Sequence, residues 1–201
     1  QIMRGFAGTM KDHADVQGVK FAEALQAATT GAYEAVLKPI EGTILTVCRE
    51  SAEAAKVAAD AGGTLADVVR AARTGGKIAL DNTPEQLAVL KDAGVVDAGG
   101  AGFLLLLDSA LHVVDGEPLP IPDPDDGTHG AVAAAFEAVA HRHASTPGEL
   151  DVSEQRYEVM YFLELADDQI RGFKSGWGAI GDSIVVVGGD GGEGRPGPRR
   201  P

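Results

Sequence analysis

Apolar side chains return along the first half of the chain at the spacing of a helix face. Phe21, Leu25, Ala28, Ala32 and Val36 fall at steps of four, three, four and four, and Ile44, Val47, Ser51, Ala54 and Ala58 resume the rhythm after a break. A third helix is predicted to open at Thr64. Asp67 stands three residues on as the acid of a capping box, and Leu65, Val68, Val69 and Ala72 turn inward. TPEQ marks a fourth start, with Thr83 as N-cap, Pro84 in the first helical position, Gln86 reaching back and Gly94 as a left-handed stop. After VVDAGGAG, a last helix turns Phe103, Leu106, Leu107, Ala110 and Leu111 inward. The opening QIMRGFAGTM also reads as the middle of a helix. Five or six such helices predict an all-α bundle.

The pattern then changes. DGEPLPIPDPDDG packs four prolines and five acids into thirteen residues, which predicts an extended, solvated linker. Residues 128–145 fit one more helix. YEVMYFLEL is strand-like, residues 166–180 read as a helix, and DSIVVVGG reads as a short buried strand. That β-α-β order opens a small α/β unit. DGGEGRPGPRRP has nothing with which to pack and predicts a disordered tail. The expected division is 1–115 for the helical domain, 116–130 for the linker, 131–191 for a helix plus partial α/β unit, and 192–201 for the tail.

Composition narrows the function classes. Aromatics are only 5% of 201 residues, and alanine and glycine are abundant, as close-packed helices require. The net charge of -13 excludes a nucleic-acid partner, because no basic surface exists to neutralise phosphates. Most of that excess falls between residues 116 and 170, with twelve acids to two bases. The single cysteine, Cys48, excludes an internal disulfide and fits a reducing compartment. Unbroken apolar runs are short, Phe103–Leu107 being five residues. No stable membrane insertion is therefore expected, and a cytoplasmic location follows.

Two loops carry the candidate chemistry. KPIEGT interrupts two amphipathic helices: Pro39 keeps Lys38 extended, and Gly42 permits a sharp re-entry. Thr43 then lies in the first helical turn, where a hydroxyl and free N–H groups favour an anion. Capping by Glu41 and Thr43 explains the same residues equally well. VDAGGAG could cradle a phosphate on its N–H groups, with Asp97 on a ribose or metal, but it lacks the lysine of a Walker loop. A tight turn between helices is the plainer explanation. Cys48 has no histidine near it in sequence and reads as core. His141 and His143 fall on different helix faces, and DPDDG lacks a calcium loop's glycine register and closing glutamate. No metal ligand set and no catalytic residue are assigned.

KPIEGTILTVCRESAEAA followed by TPEQLAVLKDAGVVDAGGAGFLLLLDSAL closely resembles the DhaL-like domain of bacterial fatty acid kinase A-type proteins. That domain is related to the ATP-binding L subunit of dihydroxyacetone (glycerone) kinase. The resemblance covers about residues 1–115. RYEVMYFLEL through GDSIVVVGGDG is similar to the start of the family's middle domain, particularly its actinobacterial branch. It implies a mainly α fold: part of an antiparallel helical barrel, followed by the start of a small α/β domain. It also implies ATP and Mg²⁺ as cofactors, held by loops at one barrel end. The γ-phosphoryl group then passes to a small acceptor presented by a fatty-acid-binding or dihydroxyacetone-binding partner subunit, and a homodimer is compatible with this. On the matching positions, Gly42, Thr43, Asp97, Gly99 and Gly100 are the implied nucleotide-site residues.

The family's metal-holding aspartates and main phosphate loop are expected upstream of residue 1. The Pro/Arg/Gly-rich ending replaces a family segment with paired histidines and reads as a frameshift or assembly error. The chain is thus expected to be truncated at both ends and inactive alone. Two other readings stand beside this one: a non-catalytic regulatory subunit, and a helical interaction domain whose glycine loops are only turns.

Overall fold

A computed structural model describes residues 1–121, 159–160, 162–178 and 184–186. Its helices are α1 (Ile2–Met10), α2 (Gly18–Ala35), α3 (Ile44–Asp60), α4 (Leu65–Asp81), α5 (Thr83–Gln86), α6 (Ala88–Ala93), α7 (Ala98–Asp115) and α8 (Asp167–Trp177). α1, α2, α3, α4 and α7 pack as successive neighbours, with further α2–α4 and α3–α7 contacts. The long helices alternate in direction, as short connections require. The fold is mainly α, as the periodicity predicts.

Leu25, Val47, Val68, Val69 and Leu111 are the large apolar side chains most completely enclosed. Alanine and glycine let the helices approach closely around them. A Cβ added to Gly76 of α4 would lie 2.2 Å from the Ser51 Oγ of α3 and 2.7 Å from Leu104 Cδ2 of α7. Only hydrogen fits at that crossing. The low aromatic content and the tight packing are one fact seen twice.

At one end, which we call the far end, the starts of α2 and α4 meet the end of α7. Gly62 turns the chain at φ +80°, and Thr64 and Asp67 form the predicted capping box, with Thr64 N–H donating at 3.0 Å and Asp67 N–H at 3.2 Å. Arg70 donates to Glu117 at 2.8 Å and to Asp115, tying the exit of α7 to α4. Gly116 closes α7 in the left-handed region. At the opposite end, the starts of α3 and α7 meet the ends of α2 and α4.

Several expectations need correction. Thr83 is not an N-cap: the helix at TPEQ starts with it, Asn82 precedes, and no side chain caps it. That helix also breaks at Leu87, whose extended backbone divides α5 from α6. Gly94 is left-handed as expected, at φ +67°. On α7, Leu106 is half exposed and Leu104 is buried in its place. α3 lies between neighbours, so its buried face widens to Cys48, Ala52, Ala55 and Ala59 and leaves Ala54 and Ala58 at its margin. No strand occurs among the described residues. Residues 159–160 and 162–165 of the strand-like phrase are irregular, and Val185 forms an isolated antiparallel bridge with Val36. A ladder needs a partner, and the described part of that run has none among the described residues. The helix and histidines between 128 and 145, the DPDDG phrase and the tail lie outside the described residues.

By length and mean hydropathy (1.3), α7 is long and apolar enough to cross a membrane. Reading only unbroken runs missed this. Asp108 within it pairs with Arg73 of α4 at 2.7 Å, while Phe103, Leu107 and Leu111 are buried against the bundle. One face of the helix thus belongs to the core, while Leu105, Leu106 and Val113 are exposed on the other.

Candidate functional site

KPIEGT leaves α2 and enters α3 through a backbone that only glycine adopts easily. Gly42 has φ +79°, and an added Cβ would sit 3.0 Å from Gln86 Cβ, Leu87 Cβ and the Thr83 carbonyl. Thr43 caps α3 by accepting the Leu45 N–H at 3.3 Å, and its hydroxyl donates to the Ile40 carbonyl at 2.8 Å. The Gly42 N–H donates to the Thr46 hydroxyl at 2.8 Å.

Glu41 does not cap the helix. Its carboxylate accepts from Tyr33 at 2.9 Å, Thr46 at 2.6 Å and Arg49 at 3.1 Å, so three residues of α2 and α3 clamp the loop. The Thr46 hydroxyl, above all, holds the Glu41 carboxyl below the ordinary carboxylate range, against the opposing effect of burial; Tyr33 and Arg49 add to the lowering. Burial raises the Tyr33 phenol. The Arg49 guanidinium is held charged chiefly by its hydrogen bond to Tyr33.

VDAGGAG enters α7 in a parallel way. Asp97 is the N-cap, accepting the Gly100 N–H at 2.6 Å, and its own N–H donates to Thr83 Oγ1 at 3.1 Å. Thr83 is fully buried and also donates to the Leu80 carbonyl at 2.7 Å, so it joins the end of α4 to the start of α7. A Cβ on Gly99 would lie 3.2 Å from Ile44 Cβ, and one on Gly100 would lie 2.7 Å from Val47 Cγ2. The starts of α3 and α7 are therefore in contact.

All five residues implied by the resemblance, Gly42, Thr43, Asp97, Gly99 and Gly100, thus gather at one end of the bundle. The space beside each glycine is filled by protein, so what remains for a ligand is backbone. The caps leave the N–H groups of Ile44, Ala98 and Gly99 without a hydrogen bond among the described residues. Two helix starts aimed at one place, with N–H groups spare, favour an anion.

A divalent metal fits less well. No group of three or more His, Cys, Asp or Glu side chains comes together among the described residues. The Asp97 carboxylate is engaged by Gly100, and that of Glu41 by its three donors.

Tyr33, Thr46 and Arg49 were not singled out by sequence, and Thr83 was read only as a helix cap. The available signal was weak: Thr46 is a lone hydroxyl between Leu45 and Val47, and Thr83 sits in a turn phrase between Asn82 and Pro84. Cys48 is buried as expected, 3.4 Å from the Thr29 hydroxyl, and burial raises its thiol above the ordinary value. A groove of about 350 Å³ between α2 and α3, flanked by Gln26, Lys56 and Asp60, lies toward the far end and away from both loops.

Residues 1–112 match the DAK2 domain. The chain is 32% identical over 197 residues to Protein YloV of Bacillus subtilis, covering 93% of this chain and 34% of that protein. It is 30% identical over 200 residues to the uncharacterized protein SH1689 of Staphylococcus haemolyticus, covering 94% of this chain and 34% of that one. An uncharacterized protein of Staphylococcus epidermidis is 39% identical over 132 residues, covering 66% of this chain and 24% of its own length. The chain thus spans about a third or less of the relatives it matches. With more than half its length matched by the domain, and both loops at one end of the bundle, the chain belongs to the DAK2-domain, or DhaL, family of dihydroxyacetone kinase-like proteins.

Proposed function

We propose that this chain is part of an ATP-dependent kinase subunit. In that reading it helps pass the γ-phosphoryl group of Mg-ATP to a small acceptor, a fatty acid or dihydroxyacetone, presented by a partner protein in the cytoplasm. The observation that carries the reading is the meeting of the α3 and α7 starts, with the Ile44, Ala98 and Gly99 N–H groups left over by the caps. Those groups would hold phosphate oxygens. Thr43 and Asp97 would fix the two loops, and Gly42, Gly99 and Gly100 would let the backbones approach. Bound Mg-ATP supplies the transferable phosphoryl group. The chain's own part is positioning and charge stabilisation, which dominate phosphoryl transfer. No step is assigned to a metal ion, because the carboxylates of the two loops, Glu41 and Asp97, are already engaged.

The test is calorimetric titration of the 201-residue chain with Mg-ADP. Saturable binding that weakens several-fold in Asp97→Ala is expected. A second reading, a non-catalytic interaction domain, is favoured by the filled space beside the three glycines, which packing alone explains. It gains the field if no heat of binding appears and Gly99→Ala alters only stability.

A further inference from the structure

α2 ends without the glycine that commonly closes a helix. Its C-cap, Val36, is extended at φ -92° and ψ 127°, and carries no capping N–H. The last carbonyls are met instead by residues far along the chain. Val186 N–H donates to the Ala35 carbonyl at 3.1 Å, and Lys174 Nζ of α8 reaches the Glu34 carbonyl at 3.3 Å. In return the Leu37 N–H donates to the Ile184 carbonyl at 3.2 Å, which completes the Val36–Val185 bridge. Gly178 fits against Leu37, where an added Cβ would be 3.0 Å from Leu37 Cδ2. A cation and an N–H at a helix C-terminus are what its dipole and orphan carbonyls favour.

This docking lies directly behind the candidate site. Leu37 is fixed by Ile184, and Pro39 stiffens the chain two residues later. Tyr33, in the last turn of α2, holds Glu41, and Thr46 holds both Glu41 and the Gly42 N–H. Val186 and Ile184 thus hold Ala35 and Leu37, and from Leu37 the chain itself runs through Lys38, Pro39 and Ile40 to the loop at Gly42 and Thr43. We propose that the C-terminal turn of α2 is a docking surface for the chain's own α8 and its residues Ile184–Val186, and that this docking sets the order of the Glu41–Thr43 loop. Its consequence for nucleotide affinity rests on the kinase reading above; its consequence for the loop does not. By linkage, a ligand that orders the loop strengthens the docking by the same factor.

The test is amide hydrogen exchange on the full chain, comparing wild type with Val186→Pro, which removes the N–H donor, and with Val186→Ala, which keeps it. In Val186→Pro, exchange at the Leu37 and Gly42 amides is expected to rise on the order of tenfold, with α4 amides unchanged as the internal reference. Val186→Ala stays near wild type. Faster exchange at Leu37 with Gly42 unchanged overturns the coupling. No change at either amide overturns the docking as well. Mg-ADP titration of the same proteins separates the two readings: a wild-type chain that binds no nucleotide removes nucleotide holding by these two loops, while the exchange result still decides the docking.

Discussion

The start of α4, at the far end, and the starts of α3 and α7, at the loop end, face the same physical problem and resolve it differently. Every helix begins with N–H groups that have no partner within it. At α4, Thr64 and Asp67 answer each other, and Asp67 also accepts from the Thr64 hydroxyl at 2.6 Å. That box still leaves the Leu65 and Ala66 N–H groups without a hydrogen bond among the described residues, but its carboxylate lies at the helix start with Arg70 beside it. At α3 and α7 each cap likewise satisfies one N–H group and leaves others, and here the two starts are pressed together by glycines. A reciprocal cap serves stability. Two helix starts in contact also leave a place for a negative charge.

The largest way to break this contrast is to separate the two starts. Gly100→Ala would place a methyl 2.7 Å from Val47 Cγ2 and 3.1 Å from Leu80 Cδ1. A loss of about 1–3 kcal/mol in urea unfolding is expected, as for an overfilled core. Gly62→Ala at the far end has open space and only an unfavourable φ to accommodate. It should cost about 1 kcal/mol or less. Equal losses from the two would mean that the α3–α7 contact is looser than described.

Next come the caps themselves. Thr64→Ala and Asp97→Ala should each cost about 1 kcal/mol by thermal or urea melting. Only Asp97→Ala should also weaken Mg-ADP binding. If Thr64→Ala weakens it equally, the distinction between the two ends has no bearing on ligands.

The smallest effect is in pH. The carboxyls of Glu41 and Asp67 are both held below their ordinary range in the fold, each first by a threonine hydroxyl. The unfolded chain therefore takes up those protons first on acidification. Their stabilisation is full above the ordinary carboxylate pKa of about 4 and is lost as pH falls through the lower folded values. Glu41→Gln should flatten the acid side of the melting-temperature profile, and Asp67→Asn should do the same from the other end. Since both side chains are about half exposed, each change is expected to be slight. A Glu41→Gln profile that overlays wild type would show that the clamp does not form in solution.

What the sequence makes legible follows from range. Phe21, Leu25, Ala28 and Ala32 are buried as their spacing predicts, because helix periodicity is local. The Thr64–Asp67 box spans three residues and is equally plain. Val36 continues the same apolar rhythm yet leaves the helix, because Val185 bridges to it from far along the chain. Thr83 looks like a cap within TPEQ, but a buried bond to Asp97 claims it instead. The candidate loops stood out by their glycines and the helix break, and resemblance gave them a nucleotide role; their clamp was not legible, since Tyr33, Thr46 and Arg49 gain meaning only once α2 and α3 lie side by side. Short-range chemistry can be read from the string, whereas a partner brought in by folding cannot.

The position of the Arg70–Glu117 pair has a further consequence. It anchors the chain's departure from α7 at the far end, whereas Ile184–Val186 rejoin at the end of α2, beside the loops. The connection must cover the length of α7, 18 residues, or roughly 27 Å at the helical rise. About nine extended residues would reach that far, and the sequence between Glu117 and Ile184 provides several times more. Two backbone hydrogen bonds would scarcely hold separate molecules together. Carried on one chain, they act at an effective concentration set by the length that joins them. The number of residues between Glu117 and Ile184 therefore bears on the occupancy of that contact.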